Sequence, residues 1–208
     1  MTAEASKWRQ QLQLWLILGI TAGVLAGGFL LLPRDQAGRA RLLSVLGTSN
    51  HGILLSPVVP MAGLRLVSPA GAAEDWSRWA PHWRVVIAAA MPCGQPCREA
   101  LYLTRQVHVR LARNAGRVER VLLAVDDALD AELAALLERE HPRLRTLLVA
   151  PAEFAHWPGA GQMHWTDGEP RIFVVDPQGA AILYFTLEHE GADLLEDLNH
   201  LLKYSPEP

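Results

Sequence analysis

The sequence predicts an α/β protein in which helices cover a mixed sheet, preceded by one N-terminal transmembrane helix. Three observations lead to this prediction. β-branched apolar runs alternate with amphipathic runs from residue 83 onward, a strand–turn–strand pattern follows residue 171, and a charge-free apolar run lies near the N-terminus. Of the 208 residues, 50% are apolar and 20% are charged, which is the composition of a folded protein.

Residues 12–32, LQLWLILGITAGVLAGGFLLL, are long enough for one bilayer crossing and carry no charge. A cleaved signal peptide is the alternative. The run is longer than a usual signal h-region, however, and no A-x-A site precedes Pro33. We therefore expect a short cytoplasmic N-terminus at 1–11, a transmembrane helix at 12–32, a tether at 33–51 and a folded domain at 52–205.

The charges around the apolar run do not orient it, because Lys7 and Arg9 precede it while Arg34, Arg39 and Arg41 follow it. Paired cysteines that form disulfides belong in oxidising compartments. We therefore expect an inner-membrane protein whose folded domain lies in the periplasm. The net charge of −3 and the lack of a basic stripe argue against nucleic acid as a partner.

The first elements of the folded domain follow from composition and apolar pattern. Residues 52–73, rich in Pro and Gly, predict a β-hairpin or an extended lead-in, and the apolar run 83–90 predicts a buried strand. Pro96 suits the first turn of a helix that reaches about Asn114, because its missing N–H has no partner there. Residues 118–125 predict a second buried strand.

The remaining elements end the domain with a hairpin and a helix. A helix is predicted at 130–140, where Asp130 begins it and Pro142 ends it. Asp176-Pro-Gln-Gly179 is a strong turn signal between two apolar runs. The predicted elements after the helix are a short strand at 146–150, strands at 171–175 and 180–185, and a closing helix at 193–203.

The two cysteines of the chain, Cys93 and Cys97, lie between the first buried strand and its helix. Two cysteines four positions apart can reach the Cα–Cα distance of a disulfide where a loop leads into a helix. The helix N-terminus and Arg98 favour a thiolate, which is both a nucleophile and a ligand for Cu(I). We expect two neighbouring sulfurs within reach of solvent. The alternative is a purely structural disulfide. Because it would close so small a loop, it would stabilise the fold only modestly.

The order strand, helix, strand, helix, strand, strand, strand, helix is the thioredoxin-like plan. Within it, the chain resembles the SCO/SenC family of cytochrome oxidase assembly factors over about residues 83–204. The matching positions are Cys93 and Cys97 of the C-x-x-x-C pair, Val125, Asp126 and Asp130 of a V-D-P-x-x-D-like segment, and Ile172–Gly179, which looks like the family's strand and turn.

The chain departs from the family where copper would be bound. Gly94 and Arg98 stand where the family has prolines, and Asp127 replaces a further proline. The position of the family's copper-binding histidine is Gly168, and the nearest histidine is His164. The candidates for a third ligand beside the two cysteines are His164, Met163, His156 and Met91.

Pro170 lies at the spacing from Gly179 at which thioredoxin-like reductases hold a cis proline facing the cysteine loop. This spacing favours thiol–disulfide exchange, although a proline entering a strand is also an ordinary edge feature. For Asp126 and Asp130, the simplest roles are turn formation and helix N-capping.

The resemblance implies a protein that assists assembly of the copper centre of cytochrome c oxidase. Cys93 and Cys97 would reduce the cysteines of that centre or pass Cu(I) to them, and the vacant histidine position favours reduction. Two alternatives remain: a general periplasmic thioredoxin-like thiol–disulfide reductase, and a non-catalytic docking module with a structural disulfide. The expected partner is a cytochrome c oxidase subunit or another periplasmic thiol protein.

Overall fold

The computed structural model describes residues 3–31, 50–165 and 169–205. The chain divides into two compact units, residues 1–49 and 50–208. In the first unit, helix α1 runs over Ala3–Leu31. Across the described ranges, no helix combines the length and apolarity that a bilayer crossing requires. The predicted tether lies outside the described residues as far as residue 49.

The second unit is built on one mixed sheet, as predicted. In the described part of the chain the strands are β1 Ile53–Pro60, β2 Leu66–Val67, β3 Ala73–Glu74, β4 Trp83–Ala90, β5 Val118–Val125, β6 Leu144–Val149, β7 Arg171–Val175 and β8 Ala180–Phe185. These eight strands lie in the order β1-β8-β7-β4-β5-β6-β2-β3. The three strands β4, β5 and β6 are parallel, and every other pairing is antiparallel.

The helices of this unit include three that the sequence predicted and two that it did not. The first ends earlier than expected: after Arg110, Ala112 takes a φ of 49° and the chain continues as a 3-10 helix to Arg117. The two unpredicted helices are too short to carry an apolar period. The helices are α2 Gln95–Arg110, α3 Ala131–Glu140, α4 Pro151–His156, α5 Pro158–Gln162 and α6 Gly191–Tyr204.

Two cores cover the two faces of the sheet, because successive residues of the central strand β4 point to opposite sides. The cysteine-side core joins Val85, Ile87 and Ala89 of β4 to α2, α3 and α6. The opposite core joins Val86 and Ala88 to β1 and to α4 and α5. The two cysteines belong to the first of these cores.

The turn between β7 and β8 forms as its sequence predicts. The N–H of Gly179 donates to the carbonyl of Asp176 at 2.9 Å, and the N–H of Asp176 donates to the carbonyl of Ala180 at 2.9 Å. Gly179 has a φ of 87°, and a Cβ there would lie 2.7 Å from the indole of Trp76. Glycine is therefore favoured at this position for two reasons: its positive φ and the lack of space for a Cβ beside Trp76.

The first strand of the domain is held by a buried carboxylate on the last helix. Asp197 is 4% exposed and accepts the N–H of His51 at 3.0 Å and that of Gly52 at 2.9 Å. Buried carboxylates are costly unless they are hydrogen-bonded, and here the backbone supplies the partners. The contact fixes the chain at its entry into β1.

Candidate functional site

The site lies where the central strand β4 gives way to α2. A cis peptide bond joins Met91 to Pro92, and the chain then passes through Cys93 into the helix. Cys93 and Cys97 form a disulfide with their Cα atoms 5.3 Å apart. The predicted proximity of the two sulfurs is therefore confirmed.

The first turn of α2 forms around the second cysteine. Gly94 is the N-cap with extended backbone, and Pro96 occupies the first turn, as expected from its missing N–H. Cys97 follows directly, where the partial positive charge of the helix N-terminus favours a thiolate once the disulfide is reduced. Cys93 lies outside the helix, in the loop.

Both cysteines are more deeply covered than the sequence predicted. Cys93 is 6% exposed and Cys97 is 4% exposed. By contrast, Pro92, directly before the first cysteine, and residues 94–96, between the two cysteines, are exposed. The cause is packing, because both cysteines lie in the apolar cysteine-side core with Leu101 and Leu133. The expectation of two sulfurs within reach of solvent is therefore not met in this disulfide form.

One cation lies close to the disulfide loop. The Nε of Arg98 donates to the carbonyl of Cys93 at 3.4 Å, and its Nη2 lies 3.4 Å from Oε1 of Glu132 on α3. Both charged side chains are at least half exposed, so this ion pair contributes little to stability. Sequence reasoning identified Arg98 but not its partner, since the contact joins residues that are 34 positions apart.

The two aspartates that resemble the family segment take backbone roles. Oδ1 of Asp130 accepts the N–H of Leu133 at 2.7 Å and caps α3, as its simplest interpretation predicted. Oδ1 of Asp126 accepts the N–H of Asp127 at 2.6 Å in the turn after β5. Neither contact is part of a metal site.

A groove of about 470 Å³ lies beside the first turn of α2. Pro96 on the helix and the buried Pro170 before β7 both line it, so the structure brings Pro170 to the cysteine loop's side of the fold. Three glutamates also line the groove: Glu99, Glu169 and Glu188. Arg171 lies in the same lining and pairs with Glu169 at 3.1 Å, so Glu99 and Glu188 are the carboxylates of the lining that form no ion pair among the described residues.

Of the two interpretations of Pro170, the cis proline is wrong and the ordinary strand-entry proline stands. The cis bonds among the described residues precede Pro57 and Pro92 instead. At Pro170, the guanidinium of Arg171 donates to the carbonyls of both Glu169 and Pro170, at 3.5 and 3.2 Å. These contacts form around the trans bond, which is the intrinsically favoured isomer.

The candidates for a third copper ligand do not meet at the cysteines. Met163 is 3% exposed and packs in the opposite core, while His156 and His164 are exposed at the ends of α4 and α5. Gly168 lies outside the described residues. Met91 alone packs against the cysteine-side core.

Within the described ranges, no three side chains of the types His, Cys, Asp and Glu come together as a metal site. Cu(I) prefers thiolate, thioether and imidazole ligands. In this structure both sulfurs form the disulfide, and no imidazole of the described residues joins them in a group of three.

A family model described as "Transmembrane-like, thioredoxin-like, C-terminal domain" matches residues 83–205, which is more than half of the chain. The match begins with β4 and includes the disulfide loop, the turn before β8 and α6. No curated protein sequence matches this chain.

Solved structures with the same fold include Sco proteins. Copper-bound ScoI of Arabidopsis thaliana aligns with a TM-score of 0.55 at 15% identity, over 68% of this chain and 97% of that one. Yeast Sco1 aligns with a TM-score of 0.57 at 16% identity, over 74% and 100%. A thiol:disulfide interchange protein from Bacteroides sp. aligns with a TM-score of 0.50 at 13% identity, over 75% and 92%. These similarities confirm the thioredoxin-like fold.

Proposed function

The chain belongs to the family of transmembrane-like, thioredoxin-like C-terminal domains, and on that premise we propose that it is a Sco-like thiol–disulfide protein. In this proposal it assists assembly of the copper centre of cytochrome c oxidase by reducing the cysteines of that centre. The observation that carries the proposal is the Cys93–Cys97 disulfide at the junction of β4 and α2.

The proposed reaction moves two electrons from the reduced pair to a disulfide of the partner. The Cys93 thiolate attacks one sulfur of that disulfide, forming a mixed disulfide and releasing the other partner sulfur as a thiolate. The Cys97 thiolate then attacks the Cys93 sulfur, which closes the Cys93–Cys97 disulfide and releases the second partner thiolate. An external dithiol reductant must reduce the pair again before another cycle.

The position of each cysteine supports this order of attack. Cys93 lies in the loop, outside the helix, between the exposed residues Pro92 and Gly94. Cys97 is held in the first turn of α2, close to Cys93. We therefore assign the first attack to Cys93 and the resolving attack to Cys97.

Transfer of Cu(I) to the same oxidase centre is the second candidate function. It is favoured by the reducible thiol pair, since two thiolates are soft ligands. Gly168, at the position of the family's copper-binding histidine, argues against it, although Met91 packs against the core that holds the two cysteines. We therefore place reduction first and leave copper binding to experiment.

We also propose that residues 12–32 tether the protein to the inner membrane and that the folded domain lies in the periplasm. The support is the charge-free apolar sequence of that run and the use of the two cysteines as a disulfide. Membrane fractionation, with reporter fusions at each terminus, tests this part of the proposal.

The reductase proposal is tested with the full-length protein in detergent and the copper-centre domain of an oxidase subunit in its disulfide form. We expect the reduced protein to convert that disulfide to a dithiol in one-to-one stoichiometry. The matched control is the double variant Cys93→Ser/Cys97→Ser. A rate no faster for the unmodified protein than for this control rejects the proposal.

The same preparation separates the copper candidate from the reductase. The reduced protein is titrated with Cu(I) under anaerobic conditions, with the double cysteine variant and His164→Ala as comparisons. Binding no tighter than in the double variant excludes copper transfer. Tight binding that His164→Ala weakens would restore His164 as a ligand and make copper transfer the leading function.

A further inference from the structure

A buried arginine without an acidic partner lies at the end of the sheet away from the disulfide. Arg120, at the start of β5, is 5% exposed. Its Nη2 donates to the carbonyl of Leu101 and to Oγ1 of Thr104, both at 2.8 Å, and both acceptors are uncharged. The ion pairs among the described residues do not include Arg120, and its buried Nε has no hydrogen-bond partner there.

The surroundings of Arg120 add positive charge instead of balancing it. Burial, with a smaller contribution from the nearby Arg105, lowers the pKa of Arg120 to about 10. Burial also lowers the pKa of His141, with further contributions from Arg120 and Arg105 and an opposing one from Glu140. A buried cation is costly unless an anion pairs with it, and no carboxylate of the described residues forms an ion pair with Arg120.

A cavity of about 300 Å³ opens at this place, at the starts of β5 and β6. Arg120, Arg143 and Arg145 line it, and the latter two are exposed. The only carboxylate in the lining is Glu119, which already pairs with Arg84 at 2.8 Å. The volume accommodates a phosphate-sized anion together with several waters.

We propose that this cavity binds a phosphate group, with Arg120 as its buried ligand and Arg143 at its opening. Arg145 also lines the cavity, but its guanidinium lies 3.9 Å from the centre of the Trp79 ring. The Nη2 of Arg120 already donates to Leu101 and Thr104, whereas its Nε is unpartnered and can donate one charge-assisted hydrogen bond to a phosphate oxygen. The phosphate group is that of free inorganic phosphate or of a phospholipid headgroup. The net charge of the chain is −3, so the positive cavity is a local feature created by the fold.

The test uses the full-length protein in a zwitterionic detergent and titration calorimetry at constant ionic strength. The two probes are inorganic phosphate and glycerophosphoglycerol, the soluble headgroup of an anionic phospholipid. We expect saturable binding to the unmodified protein. Tighter binding of inorganic phosphate identifies a free oxyanion as the ligand, and tighter binding of glycerophosphoglycerol identifies a lipid headgroup.

The variants localise the binding. Arg143→Ala should lower the affinity for the tighter-binding probe by about tenfold, as expected for the loss of one charge-assisted contact. The matched control is Arg78→Ala, another exposed arginine, which pairs with Asp75 and does not line the cavity. Where Arg120→Met folds, it should abolish binding.

Two results overturn the proposal. The first is a lack of saturable binding of either probe to the unmodified protein. The second is an equal affinity of the Arg143→Ala and Arg78→Ala variants for the probe, which would mean that the probe binds outside the cavity. Because Arg143 is exposed, its variant decides the question even where the variant of buried Arg120 does not fold.

Discussion

Cys93 lies in the loop before α2 and Cys97 lies in its first turn, and this difference predicts different behaviour after mutation. In Cys97→Ser, Cys93 remains in the loop and attacks a partner disulfide, but no second thiolate is present to resolve the product. We expect a stable mixed disulfide, detected by non-reducing electrophoresis and mass spectrometry.

Cys93→Ser is the control for that experiment, since its remaining thiol lies inside the first turn of α2. It should form much less of the mixed disulfide. Equal trapping by the two variants would contradict the assigned order of attack and leave the reductase proposal without its geometric basis.

His141 predicts a pH dependence of stability at the level of one residue. It is 7% exposed, and burial, followed by the charges of Arg120 and Arg105, lowers its pKa below the ordinary value of 6.5. Below that value the unfolded chain takes up a proton more readily than the folded one, so the free energy of unfolding falls as the pH falls.

The measurement is urea unfolding at about pH 7.5 and about pH 5.5, compared between the unmodified protein and His141→Gln. We expect the variant to lose less stability on acidification. The control is His156→Gln, which removes an exposed imidazole of α4 and leaves His141 and its neighbours in place. Identical losses in the unmodified protein and His141→Gln would contradict the prediction.

At the scale of elements, α3 depends on its N-cap. Oδ1 of Asp130 accepts the N–H of Leu133, so Asp130→Ala leaves that donor unsatisfied. We expect a loss of about 1 kcal/mol in the free energy of unfolding, measured by chemical denaturation. Asp127→Ala, three residues earlier and exposed, should change it by less than about 0.5 kcal/mol. Equal effects would argue against the cap.

The β7–β8 turn provides a second element-scale prediction. Gly179→Ala places a methyl group 2.7 Å from the indole of Trp76 and also requires alanine to adopt a φ of 87°. Gly71 has a similar φ of 84° but open space around it, so Gly71→Ala carries the backbone cost alone. We expect Gly179→Ala to cost at least about 1 kcal/mol more than Gly71→Ala in the free energy of unfolding. Equal costs would show that Trp76 moves freely.

For the whole folded unit, the disulfide should be dispensable for folding. It links residues only four positions apart, and closing so small a loop removes little unfolded-state entropy. Reduction should cost about 2 kcal/mol and lower the Tm by about 4–8 °C in calorimetry, with the far-UV spectrum unchanged. Cys93→Ala/Cys97→Ala should match the reduced protein. Unfolding on reduction would support a structural disulfide and count against the redox function.

The local apolar pattern determined most of the fold. The strands at 83–90, 118–125, 171–175 and 180–185 lie where the sequence predicted them, because buried strands carry continuous apolar runs. Proline in the first turn of α2 and the turn signal at 176–179 also came from the sequence alone. The short helices α4 and α5 were missed, since their position depends on packing against the opposite core.

The sequence by itself also determined that two cysteines lie at a strand–helix junction, which is the basis of the proposed chemistry. Only the tertiary structure decided how deeply they are buried, that the cis bond precedes Pro92, and that Met163 packs in the opposite core. It alone gathered Arg120, Arg143 and Arg145 around one cavity. The physical reason is that local patterns fix backbone conformation, whereas burial and charge at a site depend on contacts between residues far apart in the chain.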